Sequence, residues 1–323
     1  LKCGFGPYAV ALANVDGLKW PDIIVASFHA VRHRDITVFL NIKPEGVFKP
    51  VTFKIAEENL PYERHRDGEG VPLFTKPGLT SVHVQDMDGD GLRDLLATGW
   101  SSDVVVLMHG HAETYFAEPQ FLPVPGGPSS LCVADFDGDG TLDFAVTCQA
   151  ADQTAVWLGD GRGGFSESSR FPSRGTHPSV IREADMNGDG IPDLAVGHSY
   201  TEDSIVLFFG DGKGTFAASQ EILLGDDRRV LEKEIRDVIV DDFNGDGRMD
   251  LAAACFASGE VAVLLNASAD TTIPLVFARE IYPFQDGKPC ALASADLDGD
   301  EKKDIAAALW EINAVGFLAN AGK

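Results

Sequence analysis

The chain has 323 residues, 44% of them hydrophobic, which is enough for a large buried core in one big β architecture or in two domains. Its 50 acidic and 26 basic residues give a formal net charge of −24, which argues against nucleic acid or an anionic membrane surface as the partner. No apolar run approaches the roughly 18 residues of a membrane-spanning helix. No signal peptide is visible, but the sequence starts at Leu1 rather than Met, so export is not excluded.

Six short acidic motifs recur along the chain. They are NVDGLKWPD at 14–22, DMDGDGLRD at 86–94, DFDGDGTLD at 135–143, DMNGDGIPD at 185–193, DFNGDGRMD at 242–250 and DLDGDEKKD at 296–304. Their first residues are 72, 49, 50, 57 and 54 positions apart. A period of this length is typical of an array of similar supersecondary units.

Each motif is flanked by apolar runs that indicate buried strands. One run precedes the motif, a second follows it, and a third comes after a short loop. A more polar fourth run begins at Phe48, Phe116, Phe165, Phe216 or Phe277. Sheets of four strands that cannot bury both faces alone pack radially, so the pattern predicts an all-β fold, a β-propeller of six four-stranded antiparallel blades.

The two ends of the chain complement each other in this scheme. The sixth repeat ends after its third strand, and residues 1–5 precede the first blade, so we expect an N-terminal strand to close the ring. Insertions at 60–72 and 225–238 are expected to be loops on the rim. Residues 1–323 are therefore interpreted as one propeller domain.

The acidic motifs have the spacing of calcium-binding loops. Calcium takes six to eight hard oxygen ligands, and carboxylates at alternate positions of a tight loop can face one ion together with a backbone carbonyl from position seven. An EF-hand is excluded because it requires Glu at position twelve, where these repeats have Ala97, Val146, Val196, Ala253 and Ala307. The predicted ligands are Asp86, Asp88, Asp90, Leu92, Asp94, Asp135, Asp137, Asp139, Thr141, Asp143, Asp185, Asn187, Asp189, Ile191, Asp193, Asp242, Asn244, Asp246, Arg248, Asp250, Asp296, Asp298, Asp300, Lys302 and Asp304.

Two motifs depart from the pattern. Glu301 replaces glycine at position six of the last loop, which adds backbone strain if that residue needs a positive φ. In the first loop Leu18 replaces the ligand at position five, so we expect no calcium there, with Lys19 as the counter-charge. The prediction is therefore about five calcium ions in a structural role. Weak sites of this kind, in the ~10⁻⁴–10⁻³ M range, favour an extracellular, cell-surface or periplasmic location.

These repeats resemble the FG-GAP (or VCBS) repeats that build the propeller of integrin alpha subunits and of many exported proteins. The motifs that carry the resemblance are WLGDGRGGF at 157–165 and FFGDGKGTF at 208–216, each leading towards the next acidic loop. The resemblance implies calcium at one face of the propeller and ligands at the other. Propellers of this family more often have seven blades, so seven is the alternative blade count.

The surface opposite the acidic loops is the candidate ligand site. Six residues beyond the last aspartate of each motif stand Phe28, Trp100, Gln149, Ser199, Phe256 and Trp310. Aromatic rings beside polar groups suit sugars, although the same rings could instead pack between blades. The predicted ligand-binding residues are Phe28, His29, Trp100, Tyr200, Phe256 and Trp310.

The function that the sequence favours is a ligand-binding module for carbohydrate or an extracellular protein. One alternative is a lyase or hydrolase acting on polysaccharide, which would use the His, Arg and Tyr residues of FHAVRHRD at 28–35 and YERHRD at 62–67. Another is an adhesion or scaffold module of a larger protein. The five cysteines have no metal-binding spacing, and Cys132 with Cys148 is the pair to test as a disulfide.

Overall fold

The computed structural model describes residues 1–3, 6–28, 35–43, 47–55, 78–199, 203–225, 233–285 and 287–320. In these residues the regular structure is β-strand, apart from short 3-10 helices at Trp100–Ser102 and Gln149–Ala151. No helix of the described part has both the length and the hydrophobicity to cross a membrane. Two compact units are present: Leu1–Val133 with Gly140–Ala151 and Trp157–Glu167, and Ala134–Asp139 with Asp152–Val156 and Ser168–Lys323.

The first three sheets each contain four strands. Strands β1–β4 of the first sheet span Pro7–Ala13, Asp22–Ser27, Ile36–Lys43 and Val47–Phe53. The second sheet has the order β5-β6-β7-β10, and its strands span Leu79–Gln85, Asp94–Gly99, Val104–Met108 and Gln120–Pro123. Strands β11–β14 of the third sheet span Pro128–Ala134, Asp143–Cys148, Gln153–Gly159 and Phe165–Pro172.

The next three sheets repeat this order. Strands β15–β18 span Pro178–Ala184, Asp193–His198, Ser204–Phe209 and Ala218–Leu223. Strands β19–β22 span Ile235–Asp241, Asp250–Cys255, Glu260–Asn266 and Phe277–Pro283. The last sheet contains β23–β25, at Pro289–Ala295, Asp304–Leu309 and Ala314–Leu318. The predicted fold class is confirmed: the chain is an all-β propeller of six antiparallel blades.

Alternate residues of the second and third strands form the packing between consecutive sheets. In the first unit, Ile24 and Ala26 of β2 share a buried cluster with Leu95 and Ala97 of β6. In the second unit, the fourth sheet packs on the fifth, and the fifth packs on the sixth through Val263 and other residues that meet Ile305, Ala307 and Leu309. Strands whose two faces are both buried need apolar residues at every position, which explains the continuous runs in the sequence.

The fourth strand of the second repeat begins later than the sequence predicts. Phe116 lies in a small hairpin, β8 (Gly110–His111) with β9 (Tyr115–Phe116), and the outer strand starts at Gln120. The Phe116 ring is buried against Phe53, 5.5 Å between centroids, so this phenylalanine anchors the hairpin. In the fourth repeat Phe216 likewise precedes its strand.

The closing strand predicted at the N-terminus is not found among the described residues. Residues 1–3 form no strand, residues 4 and 5 lie outside the described part, and the sixth sheet has three strands. Leu1 and Cys3 instead line an apolar groove of the first sheet, together with Tyr8, Val10 and Phe39. Residues 1–3 therefore make apolar contacts with the first sheet.

The first and the sixth sheets each expose one apolar face. Val10 and Leu12 of β1 are 65% and 70% exposed. Phe317 of β25 is 64% exposed, whereas Val263, at the same position of the fifth sheet, is 6% exposed. In the described residues these two faces therefore have no covering sheet, and six blades are found rather than the alternative seven.

The cysteines behave as small apolar residues. Cys132 and Cys148 are buried and form no disulfide bond with each other, so the pair that the sequence suggested is not a bridge. Cys255 is fully buried, and burial raises the pKa of its thiol to about 12. A thiol in that state is protonated and unreactive at neutral pH.

Candidate functional site

Hydrogen bonds from the loop's own backbone turn the carboxylates of each acidic motif inward. In the second repeat, Asp86 accepts from the amides of Gly89 at 2.8 Å and Gly91 at 2.9 Å, and Asp90 accepts from Leu92 at 2.7 Å. The same bonds recur in the fourth, fifth and sixth repeats, and the third repeat shares the first of them. Local hydrogen bonds therefore shape the loops of the second to sixth repeats.

Positive φ angles at positions four and six make these turns possible. Gly89 and Gly91 have φ of 76° and 88°. In the last loop Glu301 adopts φ 69°, as a residue other than glycine in the left-handed region. The strain that the sequence suggested at Glu301 is therefore present, at a cost of about 1–2 kcal/mol.

Carboxylate oxygens of positions one, three and five come together in these loops. One oxygen each from Asp86, Asp88 and Asp90 lie within 4.8 Å of one another, and so do those of Asp296, Asp298 and Asp300. Hard oxygen donors in such groups fit a divalent cation. The loops also carry local counter-charges, since Lys302 binds Asp300 at 2.8 Å and Arg248 pairs with Asp246.

The aspartate at position nine has a second role that the sequence reasoning missed. Its side chain is buried, and both oxygens accept backbone hydrogen bonds: for Asp94 from Met87 and from Gly110, each at 2.7 Å. The donors are residue two of the loop and a residue at or just after the end of the third strand. Equivalent pairs of bonds are made by Asp22, Asp193, Asp250 and Asp304, and Asp143 makes the bond to its third strand.

This aspartate therefore fastens the loop and the third strand to the second strand in five repeats, and in the third repeat Asp143 fastens the third strand. One signal in the sequence could have revealed the role: Asp22 is present in the first motif, which lacks the ligand at position five. Burial raises the pKa of Asp193 to about 6, against the lowering effect of its backbone bonds, and also raises the pKa of Asp22, Asp94 and Asp250. A nearby cation would stabilise the ionised form.

The first loop closes with its own polar groups. Asn14 donates its side-chain amide to the Leu18 carbonyl, and the Leu18 amide donates to Asp16 at 2.9 Å. Lys19 Nζ lies over the ring of Trp20, 4.9 Å from its centroid, which is a cation–π contact. The counter-charge role of Lys19 stays a prediction. That this loop binds no calcium stays a prediction.

Two predicted ligand-binding residues come together in the first unit. The rings of Phe28 and Trp100 are 6.4 Å apart, and Tyr8, which the sequence reasoning did not include, lies 5.8 Å from Phe28. Trp100 donates its indole N–H to Gln149 Oε1 at 2.9 Å. Tyr8 is 63% exposed, and Phe28 and Trp100 are partly exposed, so the row of rings is accessible to solvent.

Two more predicted ligand-binding residues belong to the second unit, and two lie outside the described residues. Phe256 and Trp310 lie in the second unit, where the guanidinium of Arg236 and the ammonium of Lys288 are 4.7 and 5.3 Å from the Phe256 centroid. Trp310 is 68% exposed. His29, Tyr200 and most of the residues of the two basic segments at 28–35 and 62–67 lie outside the described residues.

Repeats with this loop geometry match a known family model. The model, described as FG-GAP-like repeat, matches residues 86–146, 185–253 and 242–307, which together are more than half of the chain. The chain belongs to the FG-GAP-like repeat family. Among curated protein sequences, none matches this chain.

Solved structures similar to this FG-GAP-like repeat protein have low sequence identity to it. A streptogramin B lyase is 14% identical with a TM-score of 0.61, covering 100% of this chain and 82% of its own. A protein from Lactobacillus plantarum is 11% identical with a TM-score of 0.64, covering 100% and 86%. A periplasmic gluconolactonase from Pseudomonas aeruginosa is 18% identical with a TM-score of 0.57, covering 97% and 73%. At these identities the likeness shows the fold alone.

Proposed function

We propose that this FG-GAP-like repeat protein is an exported carbohydrate-binding module whose acidic loops hold calcium as a structural ion. Calcium would bind in the acidic loops, and a sugar would bind at the row of rings formed by Tyr8, Phe28 and Trp100. Each part is supported by its own residues and is tested by its own experiment.

The calcium part is supported by the donor chemistry of the loops. The carboxylates are hard oxygen donors that backbone hydrogen bonds have already turned inward, so little ordering remains to be done when an ion binds. Five Ca²⁺ ions would bring the formal net charge from −24 to about −14. Because loops of this kind often bind in the ~10⁻⁴–10⁻³ M range, an extracellular calcium concentration suits them and a cytosolic one does not.

The carbohydrate part is carried by one observation, the accessible row Tyr8, Phe28 and Trp100. Sugar C–H faces pack on flat aromatic rings, and sugar hydroxyls need paired donors and acceptors nearby. Gln149 fixes the Trp100 indole through its side-chain oxygen. A ring held in this way presents its face to a ligand with little loss of conformational entropy on binding.

A glycan array with the calcium-loaded protein tests the carbohydrate part. The test variant is Trp100→Ala, and the matched control is Trp20→Ala, which removes a partly exposed tryptophan from the first acidic loop at the other end of β2. We expect binding to a sugar that is lost in Trp100→Ala and retained in Trp20→Ala. An array without signal, or binding that survives Trp100→Ala, would contradict the proposed surface.

A further inference from the structure

One repeat carries a residue type at its acidic loop that the others lack. In each repeat, a backbone amide at or just after the end of the third strand donates a hydrogen bond to the position-nine aspartate. In five repeats the residue before that amide is apolar: Leu40, Leu158, Phe209, Leu265 and Ala319. In the second repeat this residue is His109. An imidazole has therefore taken the place of a hydrophobic side chain beside the loop.

The imidazole points at two carboxylates without forming a hydrogen bond to either. His109 Nδ1 lies 3.5 Å from Asp88 Oδ2 and 3.6 Å from Asp94 Oδ1, beyond the usual N–H···O range of about 2.7–3.2 Å. The Nδ1 atom is enclosed and has no hydrogen-bond partner in the described residues. A buried nitrogen in this position costs free energy unless something satisfies it.

Neighbouring residues fix the position of the ring. The His109 carbonyl accepts a hydrogen bond from Ala117 at 2.8 Å. Gly163 packs against the ring so closely that a Cβ atom there would lie 2.2 Å from His109 Cε1. Asp94 is likewise held by two backbone amides, so both donors keep their places when a ligand arrives.

We propose that the second loop is a site for a zinc-class divalent cation, held by Asp88 Oδ2, Asp94 Oδ1 and His109 Nδ1. Around a tetrahedral ion with bonds of about 2.0–2.1 Å, donor atoms are about 3.3–3.4 Å apart, close to the two distances observed here. Imidazole nitrogen suits zinc, copper, nickel and iron, whereas calcium takes oxygen ligands. The three oxygen and nitrogen atoms lie within 4.8 Å of one another.

This site differs in selectivity from the remaining loops. Asp88 also belongs to the oxygen group with Asp86 and Asp90, so a zinc-class ion held through Asp88 and His109 displaces calcium from this loop. The inference rests on the proposed function only in taking the acidic loops as cation sites. It is independent of the aromatic surface.

The experiment is a titration of the metal-free protein with Co²⁺, a spectroscopic substitute for zinc, in the presence of millimolar Ca²⁺. The test variant is His109→Leu, which introduces the residue of the third and fifth repeats. The control is His111→Ala, since the His111 ring is exposed and bonds to Thr114. A second variant, His109→Asp, replaces nitrogen by oxygen and keeps a donor set if the leucine variant misfolds.

For the wild type we expect one Co²⁺ per chain, with visible absorption that calcium does not abolish. Loss of an outer-sphere partner typically weakens metal binding 10–100-fold, so His109→Leu should weaken Co²⁺ binding by at least about tenfold. His111→Ala should bind as the wild type, and His109→Asp should bind Ca²⁺ in preference to Co²⁺. Co²⁺ binding that is unchanged in His109→Leu would overturn this site alone, and a wild type that binds neither Ca²⁺ nor Co²⁺ would overturn the calcium proposal as well.

Discussion

His198→Cys should change how the stability of the protein depends on pH. His198 ends β16 with its side chain fully buried, and burial lowers the pKa of the imidazole from 6.5 to about 4, although the Ser204 and Ser173 backbones and the Asp152 charge oppose the shift. The folded state therefore keeps the ring neutral, while the unfolded state takes up a proton below pH 6.5. The stability from this group is present above pH 6.5 and is lost as the pH falls towards 4.

The magnitude follows from the two pKa values. Between pH 7 and pH 5, a group with pKa about 4 folded and 6.5 unfolded loses about 2 kcal/mol of unfolding free energy. Cysteine is the matched replacement because Cys148 and Cys255 occupy the same position of their repeats, both fully buried. The assay is urea unfolding of both proteins from pH 7 to pH 5 at one calcium concentration. Parallel curves for the two proteins would refute the reasoning.

Four further substitutions test the acidic loops. Asp22→Ala should lower the unfolding free energy by about 2–4 kcal/mol with or without EDTA, because two backbone amides lose their acceptor; an effect confined to calcium buffer would contradict the fastening role. Asp139→Ala should lower the melting temperature by more in calcium than in EDTA, because it removes a predicted calcium ligand; an equal loss in both buffers would contradict the role of the ion. Glu301→Gly should stabilise the protein by about 0.5–1 kcal/mol in urea unfolding, whereas Gly299→Ala, at φ 86°, should destabilise it by about 1 kcal/mol; a loss of stability in Glu301→Gly would contradict the strain at that position.

Much of the fold could be predicted because the same pattern of strands and loops recurs in every repeat of the sequence. Five nearly identical motifs in phase, each between apolar runs, indicated the blades and their first two strands. The fourth strand of the second repeat was misplaced because Phe116 anchors a hairpin there, and an aromatic residue after a turn predicts either outcome. The N-terminal strand was an inference from the number of strands, and nothing local in LKCGF favours a strand over contact with the neighbouring groove.

Some features of the candidate site could likewise be predicted from the sequence, and others could not. The clustering of carboxylates within a loop depends on local spacing, so the sequence could predict it, together with the strain at Glu301. Contacts between a loop and a distant strand do not show in local spacing. The bond from Gly110 to Asp94 and the approach of His109 to Asp88 both depend on the pairing of β6 with β7, which only the structure gives. Tyr8 was missed for the same reason.

Calcium binding by the acidic loops is the central part of the proposed function. Equilibrium dialysis of the metal-free protein against millimolar calcium, followed by elemental analysis, counts the bound ions directly. We expect about five calcium ions per chain and one fewer in Asp139→Ala. A protein that retains no calcium under these conditions would contradict the proposal that the acidic loops hold structural calcium.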